Sequence, residues 1–411
     1  MASSIRDLVF DLPIVDTHAH IRQWKDMPQP VTGYTFFNLS GCLRAIFAVA
    51  GALSREEYRE GKQFEDWPSL SRAIDEIKAT AYYRILLKGL KSLYHLDFDE
   101  LDEESFAALG RKLTEAYRRR GWYRTVLREK AGFAIDCQDS CGAMDRSLFT
   151  PITRFDGYVL FGEPGWRRGI VEEYGEERTS NLESLLECLR QDFERALHDG
   201  TAAIKGNYCW GRTLKFQPVE RAAAENALAL CLQESPNGKD CNDLGDFVVD
   251  QIAKLCAEHD IPLQIHTGPA MGMDHVVDYG NPLHLNSLIL RNSETRFVIL
   301  HAGGPFIGEC AALATQFPNV YLDLCGVLGW ESLRAILDNW VEYVPHRKLM
   351  WGTDVHLVEE AYAISRHFRG LLSEFLESRV GSGYFSQATA EDFARGILGD
   401  NARRILRIPG G

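Results

Sequence analysis

Near the start of the chain, two histidines and an aspartate fall within five residues, in Asp16-Thr17-His18-Ala19-His20. If this segment is a strand, His18 and His20 point to the same side, because side chains alternate across a strand. Two neutral imidazoles on one side make half of a tetrahedral metal site. Chance surface histidines can share that spacing, so the rest of a site must come from elsewhere. His266 follows Pro262-Leu263-Gln264-Ile265, and His301 follows Phe297-Val298-Ile299-Leu300. Asp354 ends Leu349-Met350-Trp351-Gly352-Thr353. Each is a ligand-type side chain placed where an apolar run stops. A divalent ion with an open position activates water and polarises a carbonyl.

Four further residues are candidates for substrate binding. Lys205 ends the run Ala202-Ala203-Ile204. Arg212 could clamp a carboxylate with its two-pronged guanidinium, or could equally close a loop salt bridge. Trp210 and His356 lie next to these strand ends. Tyr34, Phe36 and Phe37 could also line a pocket, although aromatic residues in such stretches more often pack.

The elements that must position these groups can be read from periodicity. Ile14-Val15, Ala202-Ile204, Pro262-Ile265, Phe297-Leu300, Val320-Leu322 and Leu349-Trp351 are short apolar runs suited to parallel strands buried on both faces. Strands two and three are expected near Phe133-Ala134-Ile135 and Tyr158-Val159-Leu160. Between the runs lie helical stripes. One uses Leu185, Leu186, Leu189, Phe193 and Leu197, with Ser180 and Glu183 expected as a capping box and Gly200 as its stop. Another uses Phe247, Val248, Ile252 and Leu255. Strand and helix in alternation indicate an α/β barrel or a doubly wound sheet. In a (β/α)8 TIM barrel all strand C-termini open on one face, so the five chemical positions would converge. The expectation is one barrel domain over residues 1–411, with a mostly helical insertion at about 40–130 after the first strand.

Composition narrows the function classes. The chain has 411 residues, 45% of them hydrophobic, enough for a large core. Its formal net charge of −13 disfavours nucleic acid and anionic membranes, which need a basic stripe. The ten cysteines form no CxxC pair and read as reduced thiols. The first residues lack a signal-peptide core, and the best apolar stretch, Ala45 to Leu53, is far short of the ~20 residues that span a bilayer. A cytoplasmic location is expected. No Gly-x-Ser-x-Gly elbow is present, which disfavours a serine hydrolase.

Taken together, D-T-H-A-H, the strand-ending His266 and His301, and W-G-T-D at Asp354 resemble the amidohydrolase superfamily. The closing Gly399-Asp400-Asn401-Ala402-Arg403-Arg404-Ile405-Leu406 resembles the terminal helix of its amidohydrolase-related branch (amidohydrolase 2). The segment from Lys205 to Arg212 is similar to the amidohydrolase part of fused glutamine-synthetase-like proteins. The resemblance implies Zn²⁺, or another divalent ion such as Mn²⁺, with one or two ions per chain. It implies His18, His20, His266 and Asp354 as ligands and Asp354 as the proton shuttle. His301 would be a ligand in a two-metal site or a polarising catalytic residue in a one-metal site. Lys205 would be a carboxylated bridge between two ions, or an ordinary lysine pairing with substrate. The expected activity is hydrolysis of an amide, lactone or similar bond in a small carboxylate-bearing substrate. Non-oxidative decarboxylation by a lyase of the same superfamily is the alternative. A non-catalytic metal-binding protein is the alternative from another class. The only partner expected is a small molecule, and a homo-oligomer is compatible with all three readings.

Overall fold

A computed structural model describes residues 4–139, 144–233, 241–269 and 275–408. Eight parallel strands follow one another around a barrel: β1 (Ile14–Ala19), β2 (Phe133–Asp139), β3 (Thr150–Arg154), β4 (Ile204–Gly206), β5 (Leu263–Ile265), β6 (Phe297–Ile299), β7 (Val320–Asp323) and β8 (Leu349–Met350). Hydrogen bonds from Asp354 N to His18 O (2.8 Å) and His20 N to Val355 O (2.8 Å) join the last strand to the first. The chain is a (β/α)8 TIM barrel.

Strand alternation divides the core in two. Val15, Cys137, Ile152, Ala203, Val298 and Met350 form one buried cluster with Ile405, Leu406 and Ile408 from the chain's end. Cys137, Ile152 and Ala203 share strand parity with Asp139, Arg154 and Lys205, so this cluster fills the barrel beneath the polar mouth. The alternate residues Ile14, Ile204, Leu263, Phe297 and Val320 join the larger cluster under the surrounding helices.

Two expected elements are displaced. The third strand is Thr150–Arg154, and Tyr158-Val159-Leu160 instead continues a helical turn, Asp156–Val159. A short apolar triplet cannot distinguish a strand from a buried helical turn. Pro151 and the polar residues of β3 hid the real strand, since proline reads against a strand interior. The Leu182–His198 helix is capped by Asn181, whose side chain accepts from Ser184 N at 2.9 Å. Ser180 is still in helical backbone and its hydroxyl donates to Glu177 O, so a single side-chain cap at Asn181 replaces the expected Ser180–Glu183 capping box. Gly200, at φ 72°, ends that helix as expected.

Between β1 and β2 the chain is helical, including Gly33–Leu39, Gly41–Val49, Trp67–Ile77, Ala81–Tyr94 and Glu103–Tyr117. Two buried carboxylates of the Val358–Gly381 helix tie this insertion to the barrel. Glu359 accepts from Tyr94 Oη (2.7 Å), Tyr117 Oη (2.9 Å) and Trp122 Nε1 (2.9 Å). Glu360 accepts from Tyr82 Oη (2.7 Å) and Ser40 Oγ, and caps the turn at His356 N and Leu357 N. Tyr34, Phe36 and Phe37 belong to this packing. Tyr34 and Phe37 lie edge-on to Phe106 and line no part of the barrel mouth. No disulfide links the cysteines among the described residues. No helix among them is long and apolar enough to cross a membrane.

Candidate active site

The barrel's C-terminal mouth opens into a cavity of about 730 Å³. His18, His20, Lys205, Trp210, His266, His301, Asp354 and His356 all line it, although they come from five strand ends and span most of the chain. Asp354 Oδ1 lies 3.4 Å from His18 Nε2 and 3.3 Å from His20 Nε2. One ligand atom from each of these three residues falls within 4.8 Å of the others. His301 Nδ1 is 3.7 Å from Asp354 Oδ2, and the His266 and His301 rings are 4.2 Å apart.

Neighbouring carbonyls fix which ring nitrogens face the cavity. His20 Nδ1 lies 3.0 Å from Asp139 O and His301 Nδ1 lies 3.1 Å from Cys325 O. A carbonyl can only accept, so both Nδ1 atoms carry the proton and both Nε2 atoms present a lone pair. The Nε2 atoms of His266 and His301 are buried and have no hydrogen-bond partner. Burial, with Lys205 next, lowers His18 to about 3. Burial also pushes His266 and His301 down. Burial opposes ionisation of Asp354, but the imidazoles of His18, His20 and His301 around it outweigh this and hold the carboxyl well below its usual range. Neutral imidazoles with bare lone pairs beside an ionised carboxylate are the donor set of a divalent ion. The residues present therefore fit the implied metal, with His18, His20 and Asp354 at its centre and His266 and His301 within reach.

The backbone at this mouth is strained where the chemistry is. His301 (φ 64°) and Asp354 (φ 57°) both sit in the left-handed region. Non-glycine residues held there cost of order 1–3 kcal/mol each and cluster at functional sites. Gly326 makes room for them, since a Cβ at this position would lie 2.7 Å from Asp354 Oδ2 and 3.1 Å from His301 Nδ1.

Two residues of this site were not anticipated. Asp139 ends β2, is buried, and places Oδ2 at 2.7 Å from Lys205 Nζ and 3.9 Å from both His18 Nε2 and His20 Nε2. Arg154 ends β3 and grips Asp139 through Nε–Oδ1 (2.6 Å) and Nη2–Oδ2 (2.8 Å). Its guanidinium lies 5.9 Å from the Trp210 ring and on the cavity wall. Lys205 Nζ also contacts His18 Nε2 at 2.8 Å. Burial opposes ionisation of Asp139, but Lys205, His20 and Arg154 outweigh it and keep the carboxyl well below its usual range. The rule that located His266, polar residue at strand end, would have found Asp139. Misplacing β3 concealed Arg154.

Arg212 does not reach the cavity. Its guanidinium is buried against Asp246, donates to Asn242 O (2.9 Å) and Thr213 O (3.3 Å), and lies over the Phe216 ring at 4.7 Å. The expected carboxylate clamp is thus corrected to the loop salt bridge, because the guanidinium is buried against Asp246 outside the cavity. His356 stacks on His20 with ring centroids 5.5 Å apart. Burial lowers it to about 4, so it faces the cavity as a neutral ring.

Beneath Lys205 and Arg154 lies Asp156, whose Oδ1 accepts from Asn207 N while Oδ2 is buried without a partner. Burial pushes its carboxyl from 3.8 to about 6, against the pull of Arg154. Below pH ~4 the folded and unfolded chains both hold this proton. As pH rises toward 6 only the unfolded chain releases it, so stability falls, and the loss is complete above the folded value. The unfolding temperature of metal-free protein, minus that of Asp156→Asn, should therefore decrease from pH 4 to pH 7. A difference that is flat or rises with pH contradicts this account.

The model of the family described as Amidohydrolase matches residues 217–408, a stretch holding His266, His301 and Asp354. Protein fluG of Emericella nidulans is 25% identical over 99% of this chain, which spans 47% of that protein's length. Among solved structures, uronate isomerase from Thermotoga maritima superposes with a TM-score of 0.81 at 18% identity, covering 98% of this chain and 96% of the other. A candidate metal-dependent hydrolase from Lactobacillus casei gives 0.70 at 17% identity, covering 98% and 97%. Likeness at that level of identity speaks for the shared fold alone. The matched family stretch, together with the histidine and aspartate positions at the strand ends, makes the C-terminal half of this chain similar to the amidohydrolase family.

Proposed function

We propose that the protein is a metal-dependent hydrolase that opens an amide, lactone or similar bond in a small carboxylate-bearing substrate. The observation that carries this reading is the grouping of His18 Nε2, His20 Nε2 and Asp354 Oδ1 in one cavity with the bare Nε2 atoms of His266 and His301. A divalent ion such as Zn²⁺ or Mn²⁺ held there would lower the pKa of water and polarise the scissile carbonyl. Asp354, ionised and partly open to the cavity, accepts the proton of the attacking water and returns it to the leaving group. His301, with its proton on Nδ1, can ligate or accept a proton; it donates to a carbonyl only once protonated. Arg154 takes the role first expected of Arg212, as the guanidinium on the cavity wall facing the substrate's carboxylate. The 2.7 Å ion pair of Lys205 Nζ with Asp139 Oδ2 is the arrangement that goes with one ion per chain, whereas a carboxylated bridge would have to break it.

The test is turnover by metal-loaded protein on N-acyl amino acids, γ-glutamyl amides, lactones and aromatic acids. The expected result is hydrolysis of at least one amide or lactone, lost on chelation and restored by Zn²⁺ or Mn²⁺. Release of CO₂ from an aromatic acid without hydrolysis would replace this reading with the decarboxylase. A fully metal-loaded protein inert on the whole panel would favour the non-catalytic alternative.

A further inference from the structure

One wall of the same cavity has no part in the chemistry above. The Gly41–Val49 helix presents Cys42, Ala45, Ile46 and Val49 to it, at positions i, i+3, i+4 and i+7. The opposite face of this helix, Leu43 and Phe47, is fully buried in the core, while Ala45 and Ile46 are mostly buried and meet the cavity at its wall. Val49 is 66% exposed, the most exposed of the large hydrophobic residues described. Leu328, from the loop after β7, lines the same cavity, and so does Tyr58. The one sulfur in the stripe, Cys42 Sγ, is turned to Asp354 O at 3.6 Å. The stripe itself offers only alkyl groups around its one sulfur, while the hydroxyl-bearing Tyr58, Thr80 and Tyr82 line the cavity elsewhere. Arg154 and Lys205 line the cavity too, on the side of the barrel strands.

We infer that the substrate is amphipathic: its carboxylate lies toward Arg154 and a branched aliphatic or aromatic group lies on the Ala45–Ile46–Val49 stripe. Polyhydroxylated acids are disfavoured on this wall, because burying their hydroxyls against the alkyl side chains of the stripe removes water without replacing its hydrogen bonds. Ile46 and Val49 are then specificity-determining residues. This rests on the reading of the cavity as the substrate site, and it is independent of which bond is broken.

Binding, rather than turnover, tests it. Calorimetric titration of metal-loaded protein would compare N-benzoylglycine, N-acetylglycine and glucuronate, which share a carboxylate and differ in the remainder. N-Benzoylglycine should bind at least about ten-fold more tightly than N-acetylglycine, the worth of fewer than two buried methylene groups at roughly four-fold each. In the Ile46→Asn, Val49→Asn variant, with unchanged circular dichroism, the ratio should fall below about two-fold. An Ile46→Ala, Val49→Ala variant, free of new polar groups, should give an intermediate ratio if the asparagine form is unstable. A wild-type ratio under about three-fold, a ratio that survives both variants, no binding, or tighter binding of glucuronate would overturn the inference. Protein that shows the expected ratio but hydrolyses no amide or lactone keeps this inference and loses the hydrolase reading.

Discussion

Replacing Asp354 with asparagine should lower kcat by about 10²–10⁴-fold at matched metal loading, the usual contribution of a general acid–base group. Asparagine is the informative choice. It keeps one oxygen ligand and tolerates the left-handed backbone that Asp354 adopts at φ 57°, so neither the fold nor the strained turn should change. What it lacks is a group that can hold a proton. Asp354 Oδ1 reaches both His18 and His20, so some metal loss is also expected, and rates must be compared per bound ion. Turnover within a few-fold of wild type in the loaded variant would show that Asp354 coordinates without moving a proton.

Asp139 should matter as much for stability as Asp354 does for rate. Its carboxylate lies between the Lys205 ammonium at 2.7 Å and the Arg154 fork, with Asp139 and Lys205 both almost fully buried. Removing one member of a buried pair strands the other charge and costs about 3–5 kcal/mol, whereas replacing both with apolar groups is often neutral. In metal-free protein, Asp139→Leu should therefore lower the unfolding midpoint sharply. Asp139→Leu with Lys205→Met should recover most of the loss, because Arg154 is partly exposed and can turn to solvent. A single variant within about 1 kcal/mol of wild type, or a double variant no better than the single, would refute this role.

The parts of this site that were legible in the sequence share one property: they end strands whose apolar runs are strong. Leu263-Gln264-Ile265 before His266 and Phe297-Val298-Ile299 before His301 announce both the strand and the residue it delivers. Asp139 was within reach of the same logic. Arg154 was not, because Thr150–Arg154 is a polar strand containing proline and carries little hydrophobic signal. Arg212 shows the opposite failure. A cation close to a strand end in sequence says nothing of which way its side chain turns, and the buried Asp246 that captures it lies 34 residues away. The apolar wall of the Gly41–Val49 helix was invisible for a third reason. Its stripe reads as ordinary core until the fold shows that this face is left open to the cavity.

The central claim is that His18 and His20, with Asp354, hold a divalent ion on a barrel that folds without it. The measurement that bears on it most directly is elemental analysis of purified protein and of the His18→Ala, His20→Ala variant, alongside circular dichroism. The barrel core beneath the site is apolar and shares no residue with it, so the variant should keep its secondary structure. The account predicts about one ion per chain in the wild type, supplied with excess zinc, and essentially none in the variant. Full metal content in the folded variant would contradict it.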